Sequence, residues 1–457
     1  MDSQPLWHRL PHGSVVTLST TRDSDDFVLV YHDHVNPPEE NTSRLDVVNV
    51  QGLATHEQAH FRLRHHTHNG DPVVSLQHTV WGGYVSPGPD NSWTLRPHAR
   101  EWEFLAESPA GACGEIVLHS RAEWGRSVAD SKPPLCFDPR SGRCVQITES
   151  GPTVWRIKLA LPPCIDITPL MSLREVIITC PSPAAATPGQ PQRLTGLPEA
   201  AVRLIQQIGY VHKEISFFYV MGHGVGADAF QQVQQSIGPL PFKRDFLLGD
   251  EDRKANYALV VQREHHDPPF GTVRQVERHA WFPSTPDVAD TALYLTASFT
   301  RCFEEKHRLA ALLLHVLDHA QQMAQSPQDH PSPSWRSQIY PYSVLALRAL
   351  AYHPGPLYTA EGGDFVTTAP HTDATWVTLL TTDQVGGLQV RRTPNSPWLD
   401  VPPIAGAILA NTGNLLAAHS GGFYPAVCHR VVRVSERATR FSMPFFWDQE
   451  GSATGGC

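Results

Sequence analysis

The sequence has no apolar run approaching the about 20 residues needed to cross a bilayer, no CxxC pair and no basic stretch. The first absence excludes a helical membrane span. The second excludes the common cysteine-zinc modules. Eight cysteines, at positions 113, 136, 144, 164, 180, 302, 428 and 457, are scattered through 457 residues. With a polar N-terminus that lacks an apolar h-region, they point to a soluble protein of the reducing cytoplasm. A net charge of −9 and a pI near 6.3 leave no footprint for nucleic acid or for a membrane surface.

What is present is proline and glycine, 40 and 32 residues, which suits a strand- and loop-rich chain better than a helical one. The length calls for two or three domains, and 41% hydrophobic residues can fill their cores. Residues 1–159 read as all-β: Val15-Val-Thr-Leu18, Phe27-Val-Leu-Val30 and Asp46-Val-Val-Asn-Val50 are short β-branched runs between polar turns. A weak repeat runs through them. Leu76 and Leu118 stand 42 apart, Trp81 and Trp124 stand 43 apart. Three aromatic-led runs close the units: His60-Phe-Arg-Leu63, Glu101-Trp-Glu-Phe104 and Val154-Trp-Arg-Ile157.

Units this small cannot bury their own apolar faces, so three of them suggest a closed pseudo-threefold β structure. The pattern resembles a β-trefoil of the fascin-like or ricin-lectin-like kind, with a plain β-sandwich as the alternative. That resemblance implies a carbohydrate or protein ligand. Trp81, Trp93 and Trp124 are then candidate ligand platforms if exposed, while Trp102 and Trp155 are expected in the core.

Residues 160–457 read as a second domain, with a helical front part at 160–340 and a strand-rich core at 341–447. In the front part, 162–168 suggests a short opening strand, 181–198 a Pro/Ala-rich connector and 199–208 a helix. Residues 216–225 then suggest a strand and turn. The longest helical pattern is 290–323, ended by the Pro- and Gln-rich segment 326–334.

The stretch that carries chemistry lies further on. His371-Thr-Asp373 places an imidazole and a carboxylate two apart, on one face of a strand, and His429 can join them from another strand. Two imidazoles and a carboxylate on one side of a metal suit non-haem Fe(II) oxygenases. His-x-Asp/Glu also occurs at His212/Glu214 and His265/Asp267, so the triplet alone is weak. Arg440 and Ser442, again two apart, make a guanidinium and hydroxyl socket for the carboxylate of a small acid.

The surroundings add weight. An apolar run follows Asp373, then Gly386-Gly-Leu-Gln-Val390, Trp398-Leu-Asp-Val-Pro402, Gly406-Ala-Ile-Leu-Ala-Asn-Thr-Gly413, Cys428-His-Arg-Val-Val432 and Arg440-Phe-Ser-Met-Pro-Phe-Phe446. This series resembles the C-terminal core of the isopenicillin N synthase-like family of Fe(II)/2-oxoglutarate dioxygenases. The resemblance implies a mainly β fold with flanking helices, a double-stranded β-helix (jelly-roll) core behind the all-β domain. It also implies a site: His371, Asp373 and His429 as Fe(II) ligands and catalytic centre, Arg440 and Ser442 on the far carboxylate of 2-oxoglutarate, O2 as second substrate. Tyr352 stands where the family carries the tyrosine of an Asn-x-Tyr pair, and is expected on the cosubstrate's inner carboxylate. Leu350 replaces the family asparagine and His353 the commoner proline. His223 matches a structural His-Gly turn. Phe445 and Phe446 are read either as pocket lining or as core.

The activity implied is oxidation of a small organic substrate by hydroxylation, desaturation or ring closure, with 2-oxoglutarate converted to succinate. Three rivals stay open: an Fe(II) oxidase that does not use 2-oxoglutarate, a non-catalytic protein binding through its N-terminal domain, and a zinc hydrolase. The last leaves Arg440 and Ser442 without a role.

Overall fold

The computed structural model describes residues 10, 14–22, 25–32, 44–49, 59–68, 71–79, 84–87, 93–96, 104–107, 115–120, 135–138, 143–145, 153–180, 196–237, 276–281, 293–324, 334–339, 343–352, 354–359, 362–392, 398–449 and 455–456. The chain divides into two compact units, Met1–Pro163 and Cys164–Cys457. Trp81, Trp102, Trp124, His265, Asp267, the connector at 181–195 and most of 326–334 lie outside the described residues.

Among the described residues the first unit holds twelve strands: β1 (Val15–Arg22), β2 (Asp25–His32), β3 (Arg44–Asn49), β4 (Phe61–His68), β5 (Asp71–His78), β6 (Tyr84–Pro87), β7 (Trp93–Arg96), β8 (Phe104–Glu107), β9 (Glu115–Ser120), β10 (Cys136–Asp138), β11 (Arg143–Val145) and β12 (Trp155–Leu159). Six of them close on themselves, each paired antiparallel to the next: β1 to β4, β4 to β5, β5 to β8, β8 to β9, β9 to β12 and β12 back to β1. The other six form the hairpins β2–β3, β6–β7 and β10–β11. The sequence repeat falls on equivalent places of this ring. Leu76 and Leu118 lie in β5 and β9; the first and third aromatic-led runs enter β4 and β12, and Phe104, the last residue of the second, opens β8.

Alternation puts Val16, Leu18, Phe61, Leu63, Val74, Leu76, Leu118 and Trp155 in the interior. The indole of Trp155, in the core as expected, donates to the Leu135 carbonyl at 2.7 Å. Trp93 is also fully buried. It is therefore packing and not an exposed ligand platform, because the hairpin that carries it turns its alternate side chains inward.

The second unit is built on two sheets. The larger runs β13 (Cys164–Asp166), β14 (Phe217–Met221), β21 (Ile408–Thr412), β18 (Val377–Thr382), β23 (Arg440–Gln449), β16 (Ser343–Tyr352), β15 (Val276–Trp281). The smaller runs β20 (Leu399–Asp400), β19 (Leu388–Arg391), β22 (Cys428–Val432), β17 (Val366–Thr372), β24 (Gly455–Gly456). Apart from the parallel β13–β14 pair, the strands are antiparallel. The sheets face each other over one apolar cluster: Phe217, Tyr219 and Leu409 from the larger meet Leu388, Val390 and Val431 from the smaller.

Helices cover the other side of the larger sheet. α1 (Thr168–Met171) and α2 (Arg174–Thr179) precede α3 (Glu199–Ile215), whose buried Ala201, Ile205, Ile208, Val211 and Ile215 recur at threes and fours. It ends where Ser216 takes a left-handed conformation at φ 58°. A turn with His223 then leads from β14 to α4 (Ala227–Ile237). His223 accepts from the Val225 N–H and faces the Gly406 carbonyl at 3.0 Å, the turn role expected of it. α5 (Leu293–Ala324) is the longest helix; α6 (Arg336–Ile339) and α7 (Asn414–His419) are short. Along α5, Lys306, His315, Asp318, His319, Gln321 and Gln322 are all buried, which an apolar stripe alone does not foretell.

No described helix is long and apolar enough to cross a membrane. Among the described cysteines Cys428 is disulfide-bonded, while Cys136, Cys144, Cys164, Cys180 and Cys302 form no disulfide.

α3 and α5 approach so closely at Gly209 that an added Cβ would stand 2.3 Å from the Cβ of Ala320. Gly209→Ala gains about 1 kcal/mol of helix propensity. Overpacking costs about 1–3 kcal/mol, and at that separation it should prevail. The expected result is a lower melting temperature, read by thermal denaturation; a higher one would mean that the helices part freely.

Candidate active site

The two histidines of the expected triad are direct cross-strand partners. His371 in β17 pairs with His429 in β22, and their rings lie 4.3 Å apart. Each ring is oriented by its own backbone. His371 Nδ1 lies 2.8 Å from the Ala369 carbonyl, and His429 Nδ1 3.1 Å from that of Val427. A carbonyl only accepts, so Nδ1 carries the proton in both and Nε2 presents a lone pair. Asp373 stands just beyond the end of β17 rather than within it, yet its Oδ1 lies 3.6 Å from both Nε2 atoms.

These three donor atoms lie within 4.8 Å of one another. Burial pushes Asp373 up, but His429, then its contacts with His371 and Asn411, outweigh this and hold the carboxyl below its ordinary range. Burial lowers His429 against the pull of Asp373. Neutral imidazoles and an ionised carboxylate are the protonation states in which these groups bind metal. Two nitrogens and one oxygen on one side fit Fe(II).

Arg440 opens β23 and is buried. Its Nε donates to the Gly386 carbonyl at 2.7 Å and its Nη1 to Ser442 Oγ at 3.1 Å. Tyr352 pairs with Arg440 across β16 and β23, with the guanidinium 5.0 Å from its ring centre. Strand register puts the two opposite each other, and the Tyr352 hydroxyl also meets Thr368 Oγ1 at 3.3 Å. Leu350, at the family's asparagine position, pairs with Ser442. Phe445 is fully buried against Phe303, so it is core; its neighbour Phe446 points to the opposite face, beneath Arg348.

His212, a decoy in the sequence, is buried against Thr412 and Phe218. Two residues went unforeseen: Thr378 in β18 and Asn411 in β21 both reach Asp373. Neither stands out in the sequence: Thr378 is one of three threonines in β18, and Asn411 adjoins Thr412 in β21.

Residues 342–449 match the family model of the 2OG-Fe(II) oxygenase superfamily. The chain carries a 2OG-Fe(II) oxygenase domain. Members of that superfamily are oxidoreductases that use Fe(II), 2-oxoglutarate and O2. Among similar proteins, a 2-oxoglutarate-Fe(II) type oxidoreductase of Aspergillus fumigatus is 28% identical over 222 residues, covering 49% of this chain and 59% of that protein. The match thus spans less than two thirds of that relative. Gibberellin 2-beta-dioxygenase 8 of Arabidopsis thaliana is 28% identical over 256 residues, 55% of this chain and 70% of the relative. The crystal structure of a dioxygenase for auxin oxidation in rice resembles this chain with a TM-score of 0.37 at 18% identity, covering 62% of this chain and 82% of that one.

Proposed function

We propose that the chain is an Fe(II)- and 2-oxoglutarate-dependent dioxygenase of the isopenicillin N synthase-like branch, with a jelly-roll core, acting on a small organic substrate. The observation that carries this reading is the convergence of His371 Nε2, His429 Nε2 and Asp373 Oδ1. These residues would hold Fe(II). When bound, the iron supplies the oxidation of substrate, coupled to decarboxylation of 2-oxoglutarate to succinate.

The protein's own part is positioning. Arg440 has five donors on a planar fork, and two of them are committed to Gly386 and Ser442. Because Ser442 accepts from Arg440, its own proton is available to a ligand. A carboxylate set against this pair and Tyr352 would be fixed in direction as well as in charge. Such a clamp suits 2-oxoglutarate and has no part in a zinc hydrolase; the oxidase alternative keeps the same Arg-x-Ser pair, so the cosubstrate requirement separates the two.

The experiment is equilibrium binding of 2-oxoglutarate to the Fe(II)-loaded chain without oxygen, then succinate release in air. Losing a charge-assisted pair costs about 1.5–3 kcal/mol, one to two powers of ten in affinity. Arg440→Ala should raise the 2-oxoglutarate requirement by about that factor, Arg440→Lys by less since only the fork is lost, and Ser442→Ala least. An unchanged binding curve for Arg440→Ala points instead to the oxidase reading.

For the first unit we propose a β-trefoil that folds independently of the second. The closed six-strand ring, the three hairpins and the placement of the repeat support it. A carbohydrate or protein ligand is the partner class that this fold would take.

A further inference from the structure

The two oxygens of Asp373 meet different surroundings. Oδ1 faces both imidazoles. Oδ2 accepts from Thr378 Oγ1 at 2.7 Å and from Asn411 Nδ2 at 2.8 Å. Both donors are almost wholly enclosed, at 4% and 3% exposure, so water does not compete for them. Thr378 spends its single proton on Asp373. The hydroxyl of Thr375, 3.0 Å away, must therefore donate to Thr378, and the chain runs Thr375 to Thr378 to Asp373 in one direction. The backbone is pinned as well: Asn414 N–H donates to the Asp373 carbonyl at 2.7 Å and Leu415 N–H to that of Thr375 at 3.1 Å.

Accepting the metal site proposed above, we infer that Thr378 and Asn411 are positioning residues that keep Asp373 a one-oxygen ligand. Two hydrogen bonds to an ionised oxygen are about twice as strong as neutral ones. Turning Oδ2 toward the metal would break both and leave two buried donors without partners. Held this way, the carboxylate would offer a bound metal one oxygen and not two, which would leave room at the metal for cosubstrate and O2. The residues come from separate strands. Thr378 lies in β18 and Asn411 in β21, where the two pair directly, so one rung of the larger sheet fixes the carboxylate that closes the smaller sheet's site.

The test uses the full chain and cobalt(II), which is stable in air and reports its ligands by visible absorption. Thr378→Val keeps the shape and removes the hydroxyl; Thr378→Ser restores it; Asn411→Leu removes the amide. Thr378→Val and Asn411→Leu should each weaken cobalt binding tenfold to a hundredfold and shift the absorption band. Thr378→Ser should return both toward wild type. Should Asn411→Leu fail to fold, the Val and Ser pair decides alone. Wild-type affinity and spectrum in Thr378→Val, or a lower melting temperature with an unmoved spectrum, overturns the positioning role and leaves the metal site standing. If Asp373→Ala binds cobalt as the wild type does, or the wild type binds none, the metal site itself fails and this inference with it.

Discussion

Replacing Asp373 by alanine should abolish iron-dependent turnover while leaving the melting temperature within a few degrees of wild type. Asp373 is the one anionic member of the donor group formed with His371 and His429. Without it, two neutral imidazoles face a doubly charged ion alone. Removing one partner of a buried charge pair costs about 3–5 kcal/mol, two to four powers of ten in affinity. Stability moves less because the effects oppose one another. The alanine leaves the Thr378 and Asn411 donors unsatisfied, about 1–3 kcal/mol each at most, but it also relieves the metal-free protein of a buried carboxylate. Asp373→Asn keeps the shape and should lose iron similarly, separating charge from packing. Anaerobic Fe(II) titration and succinate release measure both variants. Wild-type turnover in Asp373→Ala would remove the assignment.

The site residues were legible where chemistry and short-range spacing coincide. Arg440 and Ser442 do share a face, close enough for Nη1 to reach Oγ. The strand argument for His371 and Asp373 named two side chains that the structure does bring together, but by an incomplete route. β17 ends at Thr372, and Asp373 is placed by the bend after it and by donors from two other strands. Those donors are 5 and 38 residues away, and nothing in a period of two brings them together. The neighbour of Tyr352 was not legible for a related reason: it is set by the β16–β23 register, a long-range quantity. Periodicity failed differently on α5. Its apolar spacing says nothing of its polar residues, which are buried because both sides of the helix are covered. His319 Nε2 contacts the Ile177 carbonyl at 3.1 Å and Gln321 donates to that of Ser420 at 3.0 Å. In the first unit the repeat pointed to threefold closure, but it did not show that Trp93 faces inward.

Those buried side chains make acid stability the second large effect. His212, His315 and His319 are all enclosed, and burial lowers each from 6.5, to about 3, about 3 and about 4. Arg336 adds repulsion at His315 and His319. The nearby Asp318 carboxylate accepts from Ser334 at 3.0 and 3.1 Å and stands 3.9 Å from Arg336, so it is already engaged. His212 has a hydroxyl and two aromatic rings around it, from Thr412, Phe218 and Tyr424, and none of these compensates a positive charge. The folded state thus binds fewer protons than the unfolded chain between the folded pKa values and 6.5. Stability is whole above that window and falls as pH decreases through it. For His212 alone the slope is about 1.4 kcal/mol per pH unit, and the other two act in the same direction. A domain holding about 5–15 kcal/mol should then unfold on the acid side between about pH 4 and 5. Carboxylates alone would hold until nearer their own range. Chemical denaturation at half-unit intervals from pH 7.5 to 4 gives the curve. His212→Gln keeps an acceptor for Thr412 but never ionises, so it should flatten the slope by about 1.4 kcal/mol per unit. A wild-type curve level down to pH 4.5 would show that these histidines meet their proton in the folded state after all.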